Sequence, residues 1–138
     1  MKLILFGGVS GMVSCPLAMT DGAATTLTTL LNKSSSEQWR NTLTTTLNHL
    51  TSRDPSQFWT SGQWMTERAG GSDVTRATET RAHLEEDGVY RLYGNKFYTS
   101  AIDCRVSLAL ARNGENLSLF LVHLPKGKLL ANHSETRV

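Results

Sequence analysis

Apolar residues recur at helical spacing through the first third of the chain and switch to alternation near Phe58. Ala24, Leu27, Leu30 and Leu31 mark the apolar side of one helix, which Thr20 or Asp21 can cap. Thr25, Thr26, Thr28 and Thr29 are poor helix formers, so this helix must lean on tertiary packing. Ser34, Ser35 and Ser36 break the pattern, and Ser35 with Gln38 has the spacing of a capping box. A second helix is expected from about Glu37 to Leu50, with Trp39, Leu43, Leu47 and Leu50 on one side. Arg53-Asp54-Pro55 ends it, because the residue before a proline avoids helical geometry.

Beyond Phe58 the alternating pattern predicts strands at residues 63–66, 78–84, 90–99, 107–112 and 117–124. Asp87-Gly88 and Asn113-Gly114 supply hairpin turns. Five short strands with tight turns make an antiparallel sheet or an open barrel. The expected class is α+β, with N-terminal helices packed on an antiparallel, barrel-like β-domain. No Gly-x-Gly-x-x-Gly lies between a strand and a helix, so the doubly wound dinucleotide fingerprint is absent.

Composition narrows the function classes. A chain of 138 residues can bury the core of one ordinary domain. The net charge of +2 is small and the charges are interspersed, so no basic patch points to nucleic acid. Cys15 and Cys104 have no spacing for zinc or a disulfide framework and read as small buried apolar residues. His49, His83, His123 and His133 form no metal-ligand spacing, and no nucleophile–histidine–acid arrangement stands out. Met1-Lys2, the apolar Leu3-Ile4-Leu5-Phe6 and the later Val13-Ser14-Cys15 have the outline of a lipoprotein signal, but Gly7, Gly8 and Gly11 interrupt the apolar run. No apolar stretch has the length to span a bilayer. A soluble intracellular protein, of cytoplasm or organelle matrix, is the expectation.

The chemistry concentrates in Met65-Thr66-Glu67-Arg68-Ala69-Gly70-Gly71-Ser72-Asp73-Val74. Adjacent glycines permit positive φ and close approach of another molecule. Ser72 and Asp73 favour turns, and consecutive amides in such a turn can point at one acceptor-rich ligand. By itself this is a surface turn or a ligand cradle. Met65-Thr66-Glu67-x-x-Gly70-Gly71-Ser72-Asp73 resembles the flavin-proximal signature of the acyl-CoA dehydrogenase and oxidase superfamily. Tyr90-Arg91-Leu92-Tyr93-Gly94-Asn95-Lys96-Phe97-Tyr98-Thr99-Ser100 resembles that family's second flavin segment. Cys15-Pro16-Leu17-Ala18-Met19-Thr20-Asp21-Gly22-Ala23-Ala24 is similar to a helix start in its AidB-like branch.

The resemblance implies an organisation: residues 1–55 as the end of an N-terminal helical part, 56–125 as the middle β-domain, and 126–138 as an unpatterned tail. Residues 1–10 and the tail have no counterpart and read as gene-model or splice additions. It implies FAD as cofactor, an acyl-CoA thioester as substrate, and α,β-dehydrogenation as the family activity. Met65 and Thr66 then meet the flavin's pyrimidine edge. Gly71 and Ser72 form the turn that approaches the cofactor, with Ser72 also facing the acyl-CoA. Phe97, Tyr98 and Thr99 make the second flavin contact. Glu67 is expected to fix the turn rather than act as an acid, and Asp73 to cap the loop. Trp64 and Arg76 stand where the family pattern has small residues, and Phe97 stands where many relatives have tryptophan, losing an indole donor. The family's catalytic base comes from a C-terminal helical domain, and Glu135 in the tail is no replacement. The expectation is a flavoprotein fragment that does not dehydrogenate alone, with no catalytic residue assigned. The alternatives are a non-catalytic flavin-binding remnant and a DNA-protective AidB-type remnant. Family members are homo-oligomers, and neither membrane nor nucleic acid is expected as a partner.

Overall fold

The computed structural model describes residues 2–33, 36–86 and 88–124. The chain divides into two compact units between Ser61 and Gly62.

The first unit is helical: α1 (Lys2–Gly7), a 3-10 turn (Gly11–Val13), α2 (Ser14–Lys33) and α3 (Glu37–Leu50). Helix α2 begins well before the expected cap. Pro16 occupies its first turn, where a missing N–H costs nothing. Thr20 is therefore an interior residue. Its hydroxyl donates to the Pro16 carbonyl at 2.9 Å and accepts the Ser61 N–H at 3.1 Å. Thr26, Thr28 and Thr29 also donate to the carbonyl four residues back, which satisfies hydroxyls that would otherwise compete with the helix. Thr20, Ala23 and Leu27 form the buried stripe against α3, while Leu30 is largely exposed.

Helix α3 has the expected bounds, and Leu43, Thr46 and Leu50 are buried, whereas Trp39 is exposed. It stops at Leu50, ahead of the proline. Asp54 then turns the chain by accepting the Ser56 N–H and hydroxyl at 2.9 and 2.8 Å. The expected capping box involves Ser35, which lies outside the described residues, as do Asp87 of the first expected hairpin turn and the whole tail. Cys15 is exposed, against expectation, because it lies on the open side of α2's first turn; Cys104 is buried.

The second unit holds a five-stranded sheet: β1 (Ser61–Trp64), β2 (Arg81–Leu84), β3 (Tyr90–Tyr93), β4 (Val106–Asn113) and β5 (Asn116–His123), with a short helix α4 (Val74–Ala77) before β2. Strand β5 pairs antiparallel with β4 along all of its length, from Val106↔His123 to Asn113↔Asn116. A strand has two edges, so β1 and β2 share the other one. That position explains why Val106, Ser107, Leu108 and Ala109 are buried consecutively rather than alternately. Trp64, Ala109, Ala111, Phe120 and Val122 build the core, with Tyr90 edge-on to Phe120 at 5.3 Å.

Two expectations are corrected here. The sheet is mixed rather than antiparallel, since β2 runs parallel to β4 at Arg81↔Arg112, and in its order of β1-β4-β2-β3 it does not close into a barrel. The α+β class stands. The β4–β5 turn has Gly114 and Glu115 as its central pair, one residue later than expected, with Gly114 at φ 60. Positive φ at the first central residue alone matches a II′ turn. Among the described residues no helix is long and apolar enough to cross a membrane.

Candidate functional site

Between β1 and β4 the chain is mostly irregular, and the residues that resemble the flavin signature lie there. Trp64 ends β1 with its ring in the core and its indole N–H donating to the Ser100 carbonyl at 3.1 Å. Gly62 makes room for this large residue, for a Cβ there would stand 2.8 Å from the Trp64 Nε1. Met65 and Thr66 follow, both half-buried. The Thr66 carbonyl accepts the Phe97 N–H at 2.8 Å, and Glu67 and Lys96 form an antiparallel bridge. The two segments therefore meet at this point although a turn, a helix and a hairpin separate them in sequence.

Glu67 is buried at 5% exposure and its carboxylate is crowded with donors. Lys96 Nζ reaches Oε1 at 2.5 Å and the Thr80 hydroxyl reaches it at 2.6 Å. The Glu79 amide donates to Oε2 at 2.6 Å, and the Thr80 amide lies 3.2 Å from Oε1. Burial pushes this carboxyl upward, but the Lys96 ammonium, the Thr80 hydroxyl and the two amides outweigh it and hold the group below the usual glutamate value. An anion so fully engaged ties the turn to Glu79, Thr80 and Lys96.

The glycine pair behaves differently from expectation. Neither Gly70 nor Gly71 has positive φ. Gly70, whose amide donates to the Glu67 carbonyl at 3.1 Å, is required by close approach, since a Cβ there would come within 2.8 Å of the Ala77 Cβ. A Cβ on Gly71 would meet nothing within 4 Å. Ser72 is exposed beside it. Asp73 caps α4, its Oδ1 accepting the Arg76 N–H at 3.2 Å. The Arg76 side chain is exposed, so its bulk disturbs nothing in the interior, and its 4.0 Å pairing with Asp73 is solvent-screened.

The second segment leaves the sheet early. Strand β3 ends at Tyr93, not near Thr99; Gly94 then passes so close to Thr80 that a Cβ on it would stand 2.6 Å from the Thr80 Cα, and the chain turns to meet Glu67. Tyr98 and Ala101 adopt φ of 56 and 55, a left-handed conformation uncommon for such residues. Phe97 and Tyr98 are 47% and 76% exposed, with ring centroids 4.2 Å apart. Thr99 is half-buried. The geometry thus joins Thr66 directly to Phe97. Met65, Tyr98 and Thr99 adjoin that bond in sequence, and Gly71 and Ser72 are tied to it through the Glu67 turn.

Lys96 stands in the second flavin-like segment and Thr80 in an expected strand, and neither carries a role in the sequence pattern. The signal was faint: one lysine inside an aromatic run and one glutamate inside an apolar-flanked turn. Among the described residues no group of histidine, cysteine, aspartate or glutamate could hold a metal ion.

No protein-family model matches the chain. Individual relatives do. The chain is 46% identical to acyl-CoA dehydrogenase family member 11 of Caenorhabditis elegans over 89% of its own length and 21% of the relative's. It is 35% identical to AidB of Escherichia coli (strain K12) over 92% of its own length and 24% of AidB. The solved structure of the worm protein in complex with C11-CoA superposes with a TM-score of 0.71, again over 89% of this chain and 21% of that one. The apo form of Bd2924 gives the same TM-score at 43% identity, over 95% of this chain and 27% of that one. The chain spans between a fifth and about a quarter of the length of the curated relatives it matches. Over that span, in sequence and in fold alike, it is similar to proteins named as acyl-CoA dehydrogenases.

Proposed function

We propose that this chain supplies the flavin-facing part of an acyl-CoA dehydrogenase and that its own residues contact FAD. Met65, Thr66, Gly71, Ser72, Phe97, Tyr98 and Thr99 are the proposed FAD contacts, with Ser72 also facing an acyl-CoA thioester. The observation that carries this reading is the hydrogen bond from the Phe97 amide to the Thr66 carbonyl, which brings both flavin-like segments to one place. The residues fit the group. Exposed Phe97 and Tyr98 rings offer flat apolar faces, and Gly71 has open space where its side chain would be. FAD, when bound, supplies a hydride acceptor. This chain's residues hold and orient it, and residues 56–125 act as the family's middle β-domain.

The family's proton-abstracting carboxylate comes from its C-terminal helical domain. Glu67, buried where the two segments meet, is a poor substitute because four donors already occupy it. A well-placed base is worth ~10²–10⁴-fold in rate, and Glu67 is not placed to supply that contribution. The test is FAD titration of the purified chain, read at assigned amides. Shifts concentrated at residues 65–72 and 97–99, and lost in Thr66→Val, are expected. Shifts spread evenly, or confined to the helices, refute the site.

A further inference from the structure

We propose that the buried Glu67–Lys96 ion pair is the positioning element that sets the register of the two flavin-like segments, and so decides which of their side chains face outward. This rests on the site proposed above. The pair flanks the bond between the segments: Glu67 follows Thr66 and Lys96 precedes Phe97. In extended chain, neighbouring side chains point to opposite faces. Burial follows that rule, with Glu67 5% exposed on the inside and Phe97 47% exposed on the outside. A slip of one residue would turn Phe97 inward and carry charge to the surface.

The pair is built for register rather than for stability alone. Glu67 Oε1 and Oε2 gather Lys96 together with the amides of Glu79 and Thr80 and the Thr80 hydroxyl. Lys96 Nζ donates a second time, to the Leu110 carbonyl of β4 at 2.6 Å. Four stretches of chain thus converge on one charge pair whose side chains are only 10% and 4% exposed. Taking two charges out of water consumes most of what their attraction returns, so an apolar pair would serve stability as well. An apolar pair would specify no partner, because one aliphatic contact resembles the next. A lysine that must find one carboxylate and one carbonyl admits a single alignment. The roles within the pair are unequal. Glu67 binds the 79–80 segment without help from Lys96, beside the Arg112 amide that donates to the Thr80 carbonyl at 2.7 Å, and Lys96 ties segment 96–99 to that assembly.

The experiment is amide hydrogen exchange on the whole chain, comparing wild type with Lys96→Met and Glu67→Gln. In Lys96→Met the Phe97 amide should exchange at least ~10-fold faster, while the Thr80 amide and the β4–β5 ladder change by less than ~3-fold. In Glu67→Gln both Phe97 and Thr80 amides should accelerate. Unchanged Phe97 protection in Lys96→Met overturns the proposal. Uniform acceleration of every amide also overturns it, since that marks a stabilising contact with no say in register. If either variant fails to fold, acid titration of wild type decides. The amide shifts of Phe97 and Thr80 should move together with one midpoint, and a Phe97 amide that stays still while Thr80 moves sinks the idea. FAD titration of Lys96→Met runs in parallel, with at least ~10-fold weaker binding expected from a loosened second segment. Wild type that fails to bind FAD refutes the flavin site alone, because the exchange data decide the register independently.

Discussion

The β4–β5 hairpin and the stretch between β1 and β4 solve the same problem by opposite means. The hairpin repeats one ladder from Val106↔His123 to Asn113↔Asn116 and buries Phe120, Val122 and Ala109 beside it. Its order is distributed, and many modest contacts share the load. The stretch from Met65 to Ala101 carries the short β2–β3 pairing, from Arg81↔Tyr93 to Leu84↔Tyr90, and is irregular around it. Its irregular parts depend on a few unique contacts: the Glu67–Lys96 pair, the Trp64 indole bond and the close passage of Gly94 beside Thr80. A ladder tolerates the loss of a rung, whereas a hub of four donors on one carboxylate loses its geometry when the carboxylate goes. Regular structure supplies the rigid wall, and irregular backbone supplies the exposed residues a ligand can reach.

The largest expected effect breaks the hairpin side of this contrast. Phe120→Ala removes a ring that packs on Tyr90 in the core, and should lower unfolding free energy by ~3–5 kcal/mol in a urea melt. A loss under ~1 kcal/mol would mean the hairpin is held by its ladder alone.

Next comes the hub. Glu67→Gln keeps the shape but removes the charge from four donors, and should cost ~2–3 kcal/mol at neutral pH. Because the folded carboxyl titrates below its unfolded value, the wild type's advantage is complete above the ordinary glutamate pKa of about 4.3 and is lost as pH falls through the lower folded value. Melts across acidic pH should therefore show the wild type and Glu67→Gln converging. A gap that is constant with pH would mean that the Glu67 charge is not what stabilises the turn.

Gly94→Ala should cost ~1–3 kcal/mol, because the added Cβ meets Thr80 backbone that cannot rotate away. Its comparison with Gly71→Ala sharpens the contrast. At Gly71 there is open space and no positive φ, so alanine should leave stability unchanged or raise it by up to ~1 kcal/mol through a less disordered unfolded chain. Any weakening of FAD binding by Gly71→Ala would then report the ligand's approach rather than a damaged fold. A destabilised Gly71→Ala would show that this turn is packed as tightly as its neighbour.

The periodic parts were legible from the amino-acid pattern. Helix α3 lies where the spacing of Leu43, Leu47 and Leu50 puts it, and β4 and β5 fall within a residue or so of their expected bounds, because each element's local pattern agrees with its final burial. The resemblance of the 65–73 and 90–100 segments to a flavoprotein family was likewise written in order along the chain, and the relatives bear it out. Tertiary structure decided the rest. Thr20 lies inside helix α2 instead of capping it, and its hydroxyl is engaged by the Ser61 amide, a partner that no local propensity encodes. Strand β2 lies parallel to β4, a long-range choice invisible to alternation. Strand β3 stops at Tyr93, after which Gly94 passes Thr80 and Lys96 reaches Glu67. Hydrophobic period reports only whether a side chain faces in or out. Which polar groups meet once the chain has closed on itself depends on partners far away in sequence, and the only local trace of the Glu67–Lys96 pair is two charges in apolar surroundings.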